Sequence, residues 1–319
     1  MTQAARTRIG TSDLEIAPLA LGSNVFGWTA DRDTSFDVLD AFGAGGGDFV
    51  DTADGYAHWV PGNSGGESEA IIGEWFAARG SRDSVVLATK VSTHPEFPGL
   101  APANVRAAAD ASLQRLQTDR IDLYYAHYDD ADTPLEETVA AFSELVDAGK
   151  IRAIGVSNYT AERVAEWVRI AESGGYHLPV ALQPHYNLLE REFESNGLRD
   201  VAERHELAVF PYYSLAEGFL AGKYRDHDDA AAAGASPRAG EASAYLDDRG
   251  RAVLGVLDAV AEAHEVPVAA VSLAWLRQQP TVSAPIASAR NREQLQVLLA
   301  SLSLELSGEE LDRLATAAA

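Results

Sequence analysis

Short apolar runs alternate along this chain with longer segments in which apolar residues recur at helical spacing. Glycine or proline stands at most of the joins between them. This alternation is typical of βαβα chains. Eight runs have the length and composition of buried strands, and they span residues 19–22, 48–51, 85–90, 121–127, 151–157, 180–184, 207–212 and 281–288. Eight strands interleaved with helices predict an α/β protein, a single (β/α)8 TIM barrel.

Helix boundaries can be predicted from capping residues. Residues 133–136, "TPLE", combine a capping box with proline at the first helical position, and the helix that they open is expected to end before Gly149. The same spacing at residues 307–310 predicts a helix near the C-terminus. Residues 6–21, "RTRIGTSDLEIAPLAL", are expected to form an N-terminal β-hairpin over the floor of the barrel. Further helices are predicted to begin near Thr34, Ser68, Ala103, Thr160 and Leu198.

No linker or shift in composition divides the chain, so residues 1–319 are predicted to form one domain with C-terminal helices. Residues 225–249, "RDHDDAAAAGASPRAGEASAYLDDR", depart from the pattern because they are rich in Ala, Gly and Asp and carry no periodic apolar stripe. This insertion after the seventh strand is predicted to be a mobile lid or a disordered loop. A tolerated surface insertion is the alternative.

Composition narrows the class of protein. The chain is 46% hydrophobic and 23% charged, as ordinary globular proteins are. Lys and Arg number 25 against 48 Asp and Glu, and the net charge of −23 makes nucleic acid an unexpected partner. The absence of cysteine excludes disulfides, thiolate metal sites and thiol nucleophiles. No run approaches the roughly 18 apolar residues of a membrane span, and the N-terminus has no signal-peptide stretch, so a cytoplasmic protein without a membrane partner is expected.

Polar side chains follow three successive predicted strands. Asp51 ends the second strand, with Tyr56 in the loop beyond it, Lys90 ends the third strand, and His127 ends the fourth. The C-terminal ends of barrel strands converge on one rim, so these four side chains are expected to meet. Lys90 is one of only three lysines in the chain, which singles out its place at the end of a buried strand.

This combination indicates proton transfer to a carbonyl oxygen. A free phenol has a pKa of about 10 and is a poor acid at neutral pH. The ammonium of Lys90 is expected to lower the pKa of Tyr56 by favouring the phenolate, while Asp51 keeps Lys90 charged despite burial. Tyr56 can then act as a general acid, and His127 can donate a hydrogen bond that orients the carbonyl oxygen.

Two other interpretations compete with this one. An Asp–Lys pair at a strand end is often a structural salt bridge, and a lone histidine is often a structural residue. The chemical competitor is a metal site, because two-metal barrels use His and Asp at strand ends. Its ligands would be Asp51, Asp54, His58 and His127. No metal is predicted, because that site lacks a close histidine pair and gives no part to the lysine or the phenol.

The remaining strand ends suit a planar, anionic cofactor. Groups that could hydrogen-bond a carboxamide, or stack on it in the case of the tyrosine, are Ser157, Asn158, Gln183 and Tyr212. After the last strand, "IASARNREQ" leads into a helix where Ser288, Arg290 and backbone N–H groups could bind a phosphate. A solvated helix start is the alternative.

Taken in order, these motifs resemble those of the aldo-keto reductases. The resemblance runs from about Arg8 to the final helix and rests on "DTADGY", "LATK", "IDLYYAH", "GVSNY", "ALQPHYNLLERE", "YSLAEGFLAGKY" and "ASARNREQL". Within the family, the chain is most similar to the bacterial branch related to potassium-channel β subunits and sugar-phosphate reductases. The resemblance implies an NAD(P)H-dependent carbonyl reductase with the catalytic tetrad Asp51, Tyr56, Lys90 and His127. It implies cofactor contacts at Gly22, Ser23, Ser157, Asn158, Gln183, Tyr212, Leu215, Gly218, Ser288, Arg290 and Gln294.

The chain departs from the family's pattern in two places. Residues 213–215 read "YSL" where many members read "YSPL", so a different backbone path beside the cofactor is expected. Val297 and Leu298 stand where many members carry a Glu and an Asn that contact adenine. Ser288 and Arg290 favour NADPH, with NADH as the alternative, because a 2′-phosphate needs a cationic, hydrogen-bonding pocket.

The substrate pocket is expected to be mostly aromatic, which favours an apolar or aromatic carbonyl. Its predicted wall residues are Phe26, Trp28, His58, Trp59 and Tyr128. The predicted reaction is hydride transfer from NADPH to an aldehyde or ketone, with a proton from Tyr56. Two alternatives remain open: an NADPH-binding regulatory or sensor subunit with little turnover, and a reductase of a nucleotide-linked keto sugar. The sequence gives neither the physiological substrate nor the oligomeric state.

Overall fold

A computed structural model describes residues 6–231 and 236–319, and within them eight parallel strands form the predicted (β/α)8 barrel. In chain order, the barrel strands are Ala20–Gly22, Phe49–Asp51, Val86–Val91, Ile121–Ala126, Ile151–Ser157, Pro179–Gln183, Ala208–Val209 and Ile286–Ala287. Each strand pairs with the next one up to the seventh, and the eighth pairs with the first. The barrel closes where the N–H of Ser283 donates to the carbonyl oxygen of Val209 at 2.9 Å.

Helices separate most of the strands and follow the last one, as predicted. The α-helices of the described ranges are Arg32–Ala44, Glu67–Arg79, Pro102–Arg115, Leu135–Asp147, Ala161–Gly174, Leu198–Arg204, His227–Ala231, Ala239–Ser243, Asp248–His264, Val268–Arg277, Arg292–Leu299 and Gly308–Ala317. The 3₁₀ helices are Arg82–Ser84, Glu192–Glu194, Ala216–Ala221 and Ala300–Ser303. The predicted starts near 34, 68, 103, 160 and 198 agree with observed starts at 32, 67, 102, 161 and 198. No helix in these ranges is both long and apolar enough to cross a bilayer.

One predicted capping box is confirmed and the other is wrong. The Ser307 hydroxyl accepts from the N–H of Glu310, whose carboxylate accepts from the N–H of Ser307 at 2.7 Å. At residues 133–136, Pro134 is the N-cap and offers no side-chain hydrogen bond. The Thr133 hydroxyl instead donates to Asp130 Oδ2 at 2.8 Å. The Thr133 side chain therefore bonds to the preceding loop and does not cap the helix, as the sequence pattern had predicted it would.

The predicted N-terminal hairpin covers the end of the barrel opposite the C-terminal rim. Strands Thr7–Arg8 and Glu15–Ile16 pair antiparallel. Ile9 and Leu14 of this hairpin are buried in one cluster with inward-facing barrel residues such as Phe49. Burial of these side chains excludes water from the floor and stabilises the closed barrel. The strand-end groups consequently face the opposite, C-terminal rim.

The seventh and eighth strands are shorter than the predicted runs 207–212 and 281–288. Pro211 and Pro285 lie inside those runs and have no backbone N–H to donate, so the hydrogen-bond ladder is interrupted at each of them. The chain stays close to the barrel at both places, because the N–H of Ile286 still donates to the carbonyl oxygen of Pro211 at 2.9 Å.

The insertion at 225–249 is described only in part, since residues 232–235 lie outside the described ranges. The described part contains the helices His227–Ala231 and Ala239–Ser243. Arg238 attaches it to the barrel rim, because its guanidinium carbon lies 5.5 Å from the ring centre of Trp28 and its Nη1 lies 3.1 Å from Glu217 Oε2. The mobile lid stays a prediction.

Candidate active site

A buried ammonium group connects the ends of the second and third strands. Lys90 Nζ donates to Asp51 Oδ2 at 2.6 Å, to the carbonyl oxygen of Thr52 at 2.7 Å and to the Tyr56 hydroxyl at 2.9 Å. The Lys90 side chain is 0% exposed, and these three acceptors satisfy its three donors. Burial opposes the charged form, but Asp51 and Tyr56 outweigh it and raise the pKa of Lys90 above its ordinary value. Lys90 is therefore charged at neutral pH.

The pKa of the Tyr56 phenol shifts in the direction opposite to the one expected. Burial raises the pKa of Tyr56, and the Lys90 ammonium lowers it by less, so the pKa lies above the ordinary value. The expected net lowering is wrong because desolvation of the phenolate outweighs attraction to one ammonium group. Tyr56 keeps its proton at neutral pH, and Lys90 stabilises the phenolate once the proton leaves.

The Asp51 carboxylate is held from two sides. Its Oδ2 accepts from Lys90, and its Oδ1 accepts from Gln183 Nε2 at 3.0 Å. These bonds join the ends of the second, third and sixth strands. Across residues 6–231 and 236–319, no three His, Cys, Asp or Glu side chains are grouped so that they could hold a metal ion.

His127 follows the fourth strand, where its backbone N–H donates to the carbonyl oxygen of Val91 at 3.0 Å. Its ring centre is 6.1 Å from that of Tyr56, and its Nδ1 is 3.4 Å from Thr93 Oγ1. Burial and then the charge of Lys90 hold the pKa of His127 well below its ordinary value. The ring is neutral at pH 7 and carries a single N–H, so its tautomer decides whether Nε2 can donate to an oxygen in the cavity.

These strand ends open into a cavity of about 590 Å³ at the C-terminal rim. Most of the predicted site residues line it, namely Gly22, Trp28, Asp51, Tyr56, His58, Trp59, His127, Tyr128, Ser157, Asn158, Gln183, Tyr212, Leu215, Gly218, Ser288, Arg290 and Gln294. Lys90 lies behind this wall and reaches the cavity through Tyr56. A volume of this size is typical of a small-molecule or cofactor site.

Besides Lys90, two predicted residues are not brought to the cavity wall. The chain turns directly after the first strand, where the N–H of Phe26 donates to the carbonyl oxygen of Ser23 at 2.9 Å. The Ser23 hydroxyl donates to the carbonyl oxygen of Asp51 at 3.0 Å and accepts from Ser68, and its side chain is buried. Phe26 is 0% exposed and packs in the main core. A local turn that the apolar pattern does not encode thus points both side chains inward.

Three predicted cofactor-binding side chains and the backbone of a fourth predicted residue form one hydrogen-bonded chain. Tyr212 OH donates to Asn158 Oδ1 at 2.7 Å, and Asn158 Nδ2 donates to Ser157 Oγ at 3.1 Å. The Ser157 hydroxyl donates to the carbonyl oxygen of Gln183 at 2.8 Å. One face of the Tyr212 ring stacks on His185, with ring centres 5.3 Å apart and planes 17° apart. The sixth strand fixes this chain beside Asp51, so the amide groups have defined orientations.

Two cations lie together in another part of the cavity wall. Lys223 and Arg290 both line the cavity, and within the described ranges neither forms a salt bridge. Burial and then the charge of Arg290 lower the pKa of Lys223. Gln294 accepts from the N–H of Arg290 at 3.0 Å, at the start of the helix Arg292–Leu299. Two cations without carboxylate partners, in a chain of net charge −23, favour an anionic ligand at this point.

Aromatic rings form the outer wall. The ring of Trp59 lies 5.7 Å from that of Trp28 and 5.4 Å from that of His58. Trp59 is 43% exposed and Tyr128 is 50% exposed, although both line the cavity. Tyr213 is a further exposed ring at this mouth, 40% exposed. Large apolar surfaces that stay open at a cavity mouth are typical of ligand contact.

Several residues of the wall were missed from the sequence: Asn24, Thr93, Glu217, Lys223 and Arg238. Lys223 could have been found, because it stands in a motif of the resemblance and is one of three lysines. Arg238 had no such signal, since it belongs to the insertion without periodic pattern. Near the departure from "YSPL", Tyr213 and Glu217 take left-handed φ of 52° and 56°. Such strained backbone concentrates at functional sites.

Known proteins resemble the chain over almost its whole length. A sequence profile described as the aldo/keto reductase family matches residues 18–319. The protein tas of Escherichia coli K12 is 32% identical over 95% of this chain and 94% of its own. Norsolorinic acid reductase B of Aspergillus parasiticus is 31% identical over 96% of this chain and 82% of its own length. An aryl-alcohol dehydrogenase of Pestalotiopsis microspora is 29% identical over 95% of this chain and 79% of its own length.

Proposed function

This chain belongs to the aldo/keto reductase family and is an oxidoreductase, and on that premise we propose that it reduces an aldehyde or ketone to an alcohol with NADPH, taking the proton from Tyr56. The observation that carries the proposal is the Lys90 ammonium, which is 2.6 Å from Asp51 and 2.9 Å from the Tyr56 hydroxyl. An isolated structural salt bridge would not need a phenol at the cavity wall as its third partner.

Tyr56 is the acid in this proposal. Its raised pKa keeps the proton in place at neutral pH until negative charge develops on the oxygen of a bound carbonyl. Lys90 then stabilises the phenolate that remains, because it is charged and already bonded to the phenol oxygen. Positioned proton donors of this kind typically contribute about 10²–10⁴-fold to the rate. His127 directs the carbonyl oxygen toward Tyr56 by donating from Nε2.

The donor groups of the cavity fit a nicotinamide dinucleotide. The bonded amides of Asn158 and Gln183 suit a carboxamide, and Lys223 and Arg290 suit phosphate groups. A Cβ at Gly22 would lie 2.8 Å from Ser288 Oγ, so any larger residue would crowd the Ser288 hydroxyl at this part of the cavity wall. NADPH, when bound, supplies the hydride.

The choice of NADPH over NADH rests on charge. NADPH differs from NADH by a 2′-phosphate, and a phosphate next to two cations gains charge-assisted hydrogen bonds. Arg290 and Lys223 provide those cations, and their mutual repulsion in the free protein is relieved when an anion binds between them. Val297 and Leu298 line the same cavity without polar groups, so adenine would be held there by apolar contact.

The substrate class follows from the aromatic wall. Trp28, Trp59 and Tyr128 line the cavity that also contains Tyr56, and they suit a flat, aromatic carbonyl compound. Two relatives carry names of the same chemical class, norsolorinic acid reductase and aryl-alcohol dehydrogenase. We therefore assign aromatic aldehydes and ketones as the preferred substrates.

The test is NADPH oxidation, followed by loss of absorbance, with paired aromatic and aliphatic aldehydes and ketones. Tyr56→Phe removes the proposed proton and is expected to lower kcat by about 10²–10⁴-fold while NADPH binding, measured by fluorescence, stays unchanged. Tyr128→Phe is the matched control, because it removes a hydroxyl from the same cavity without touching Lys90.

The outcomes separate the alternatives. Turnover by wild type and Tyr128→Phe but not by Tyr56→Phe supports the proposal. Full turnover by Tyr56→Phe overturns the role of Tyr56 as the acid. NADPH binding by all three proteins with no carbonyl reduced would instead favour the regulatory or sensor subunit.

A further inference from the structure

A buried carboxyl group lies next to the proposed proton donor. Asp54, two residues before Tyr56, is 0% exposed and its Oδ2 has no hydrogen-bond partner within the described ranges. Its backbone N–H donates to the carbonyl oxygen of Lys90 at 3.1 Å, which fixes it beside the third strand. No cation of the described chain lies within salt-bridge distance of it. A buried carboxyl without a counter-charge calls for an explanation, because buried carboxylates are normally paired.

Thr93 connects this carboxyl to His127. Its Oγ1 is 3.5 Å from Asp54 Oδ1 and 3.4 Å from His127 Nδ1. Two backbone features hold Thr93 in this place. A Cβ at Gly55 would lie 2.5 Å from Thr93 Oγ1, and Ser92, just before the threonine, has a φ of 132°. Only glycine at position 55 permits Thr93 Oγ1 to come this close, and the positive φ of Ser92 is a strained conformation for serine.

The Thr93 hydroxyl has one proton and can therefore donate in only one direction. If it donates to Asp54, its oxygen is left to accept from His127 Nδ1, and Nε2 of the neutral imidazole has no proton. If a protonated Asp54 donates to it, it donates in turn to Nδ1, and the imidazole proton is on Nε2. The two arrangements contain the same residues but give opposite hydrogen-bonding properties to Nε2.

We propose that Asp54, acting through the Thr93 hydroxyl, sets the tautomer of His127 and thereby decides whether Nε2 can donate to the substrate carbonyl. Asp54 and Thr93 are positioning residues in this scheme, since neither needs to touch the reacting atoms. The consequence for catalysis rests on the proposed reductase function, whereas the tautomer itself is a property of the protein alone.

The surroundings of Asp54 favour its protonated form near neutral pH. Burial and the neighbouring Glu69 raise the pKa of Asp54 to about 8, against smaller opposing effects of Arg115 and of the backbone N–H groups of Gly55 and Ser92. Arg115 is already paired with Glu69, because it donates to Glu69 Oε2 at 2.7 Å. The titratable or charged groups that face or adjoin this site are Glu69, Lys90, His94, Arg115, Tyr124 and His127. Lys90 directs its ammonium away, toward Asp51.

The sign of the pH effect follows. Below a pH of about 8, Asp54 is protonated, and His127 carries its proton on Nε2. As the pH rises through about 8, Asp54 ionises and accepts from Thr93, and the proton of His127 moves to Nδ1. Carbonyl reduction should fall over this range. Loss of the Tyr56 proton comes at higher pH, because burial raises the pKa of Tyr56 above that of a free phenol.

The direct test is ¹⁵N NMR of the full-length protein labelled at histidine, between about pH 6.5 and about pH 9.5, where each tautomer has distinct nitrogen shifts. His127→Gln identifies the His127 signals. Wild type is expected to change from the Nε2–H to the Nδ1–H form with a midpoint near 8. Asp54→Asn and Thr93→Val should abolish that change, and Thr93→Ser, which keeps the hydroxyl, should retain it.

Activity provides the second measurement. Thr93→Val is expected to lower kcat by about tenfold or more at neutral pH, whereas Asp54→Asn should remove the fall in kcat near pH 8. A His127 tautomer that does not change with pH in wild type overturns the inference, and this result needs no variant to fold. Absence of carbonyl turnover would overturn the proposed function while leaving the NMR result to decide the tautomer.

Discussion

The ammonium nitrogen of Lys90 lies 2.9 Å from the phenol oxygen of Tyr56, and the lysine side chain is fully buried. The contacts that keep the lysine charged are the contacts that place it against the phenol. Its other two donors are used by Asp51 and by the carbonyl oxygen of Thr52. Stability and proposed chemistry are therefore coupled at this group, and they can be separated by substitution.

Lys90→Met is expected to destabilise the protein, because it leaves the buried carboxylate of Asp51 without a cation. Breaking such a pair typically costs about 3–5 kcal/mol, whereas removing both charges is often close to neutral. The double variant Asp51→Asn, Lys90→Met should therefore regain most of the free energy of unfolding in urea titrations. Both variants should lose carbonyl reduction, and an active double variant would contradict the role assigned to the ammonium.

Arg290→Gln is expected to weaken NADPH binding by about tenfold or more, because a hydrogen bond to a charged group contributes about 1.5–3 kcal/mol. NADH, without the 2′-phosphate, should be affected much less. Fluorescence titration with both cofactors measures the difference. Arg292→Gln is the charge-matched control, since Arg292 is exposed and lies outside the cavity wall. Equal weakening of NADH and NADPH would show that Arg290 contacts a group common to both.

Arg238→Ala is expected to loosen the described part of the insertion. Arg238 is the residue that packs over Trp28 and pairs with Glu217, and burial already raises the pKa of Glu217. Hydrogen–deuterium exchange of amides in 236–247 should become faster. Arg251→Ala is the control, because the nearest carboxylate oxygen to Arg251 is 3.9 Å away, on Asp248 in the same helix. Unchanged exchange in Arg238→Ala would show that other contacts hold the insertion.

Gly73→Ala is expected to destabilise the barrel, because the added Cβ would lie 2.1 Å from the carbonyl oxygen of Arg115. Overpacking of this kind typically costs about 1–3 kcal/mol. Gly43→Ala is the matched substitution in another helix, where nothing lies within 4 Å of the added atom. Gly43→Ala should raise the free energy of unfolding by about 0.5–1 kcal/mol. Chemical denaturation of the two variants tests both signs, and a neutral Gly73→Ala would mean that the two helices can separate.

The barrel itself could be predicted from local signals. Parallel strands buried on both faces need continuous apolar runs, and each crossover needs a helix, so eight alternations leave few other topologies. The Ser307 cap was predictable for the same reason, since donor and acceptor are three residues apart. The cap at Thr133 failed because Asp130, also local, competes for the same hydroxyl.

Only some of the residues that line the cavity could be predicted from the sequence. Strand ends could be assigned to the rim, which brought Asp51, Tyr56 and His127 together correctly. Ser23 and Phe26 were expected at the cavity, but a tight turn after the first strand points their side chains into the core. Arg238 was missed because it reaches the rim from a segment without periodic pattern.

The sequence by itself determined the (β/α)8 architecture, the rim at which polar groups gather and the residue types available there, because each of these depends on local periodicity and chain order. The tertiary structure alone decided how those groups ionise and pair. Burial raises the pKa of Tyr56 against the pull of Lys90, and it raises the pKa of Asp54, which has no salt-bridge partner among the described residues. Lys223 and Arg290 are 67 positions apart in the chain (290 − 223) yet close enough to shift the pKa of the lysine. Desolvation and long-range approach have no periodic signature, so only the folded chain specifies them.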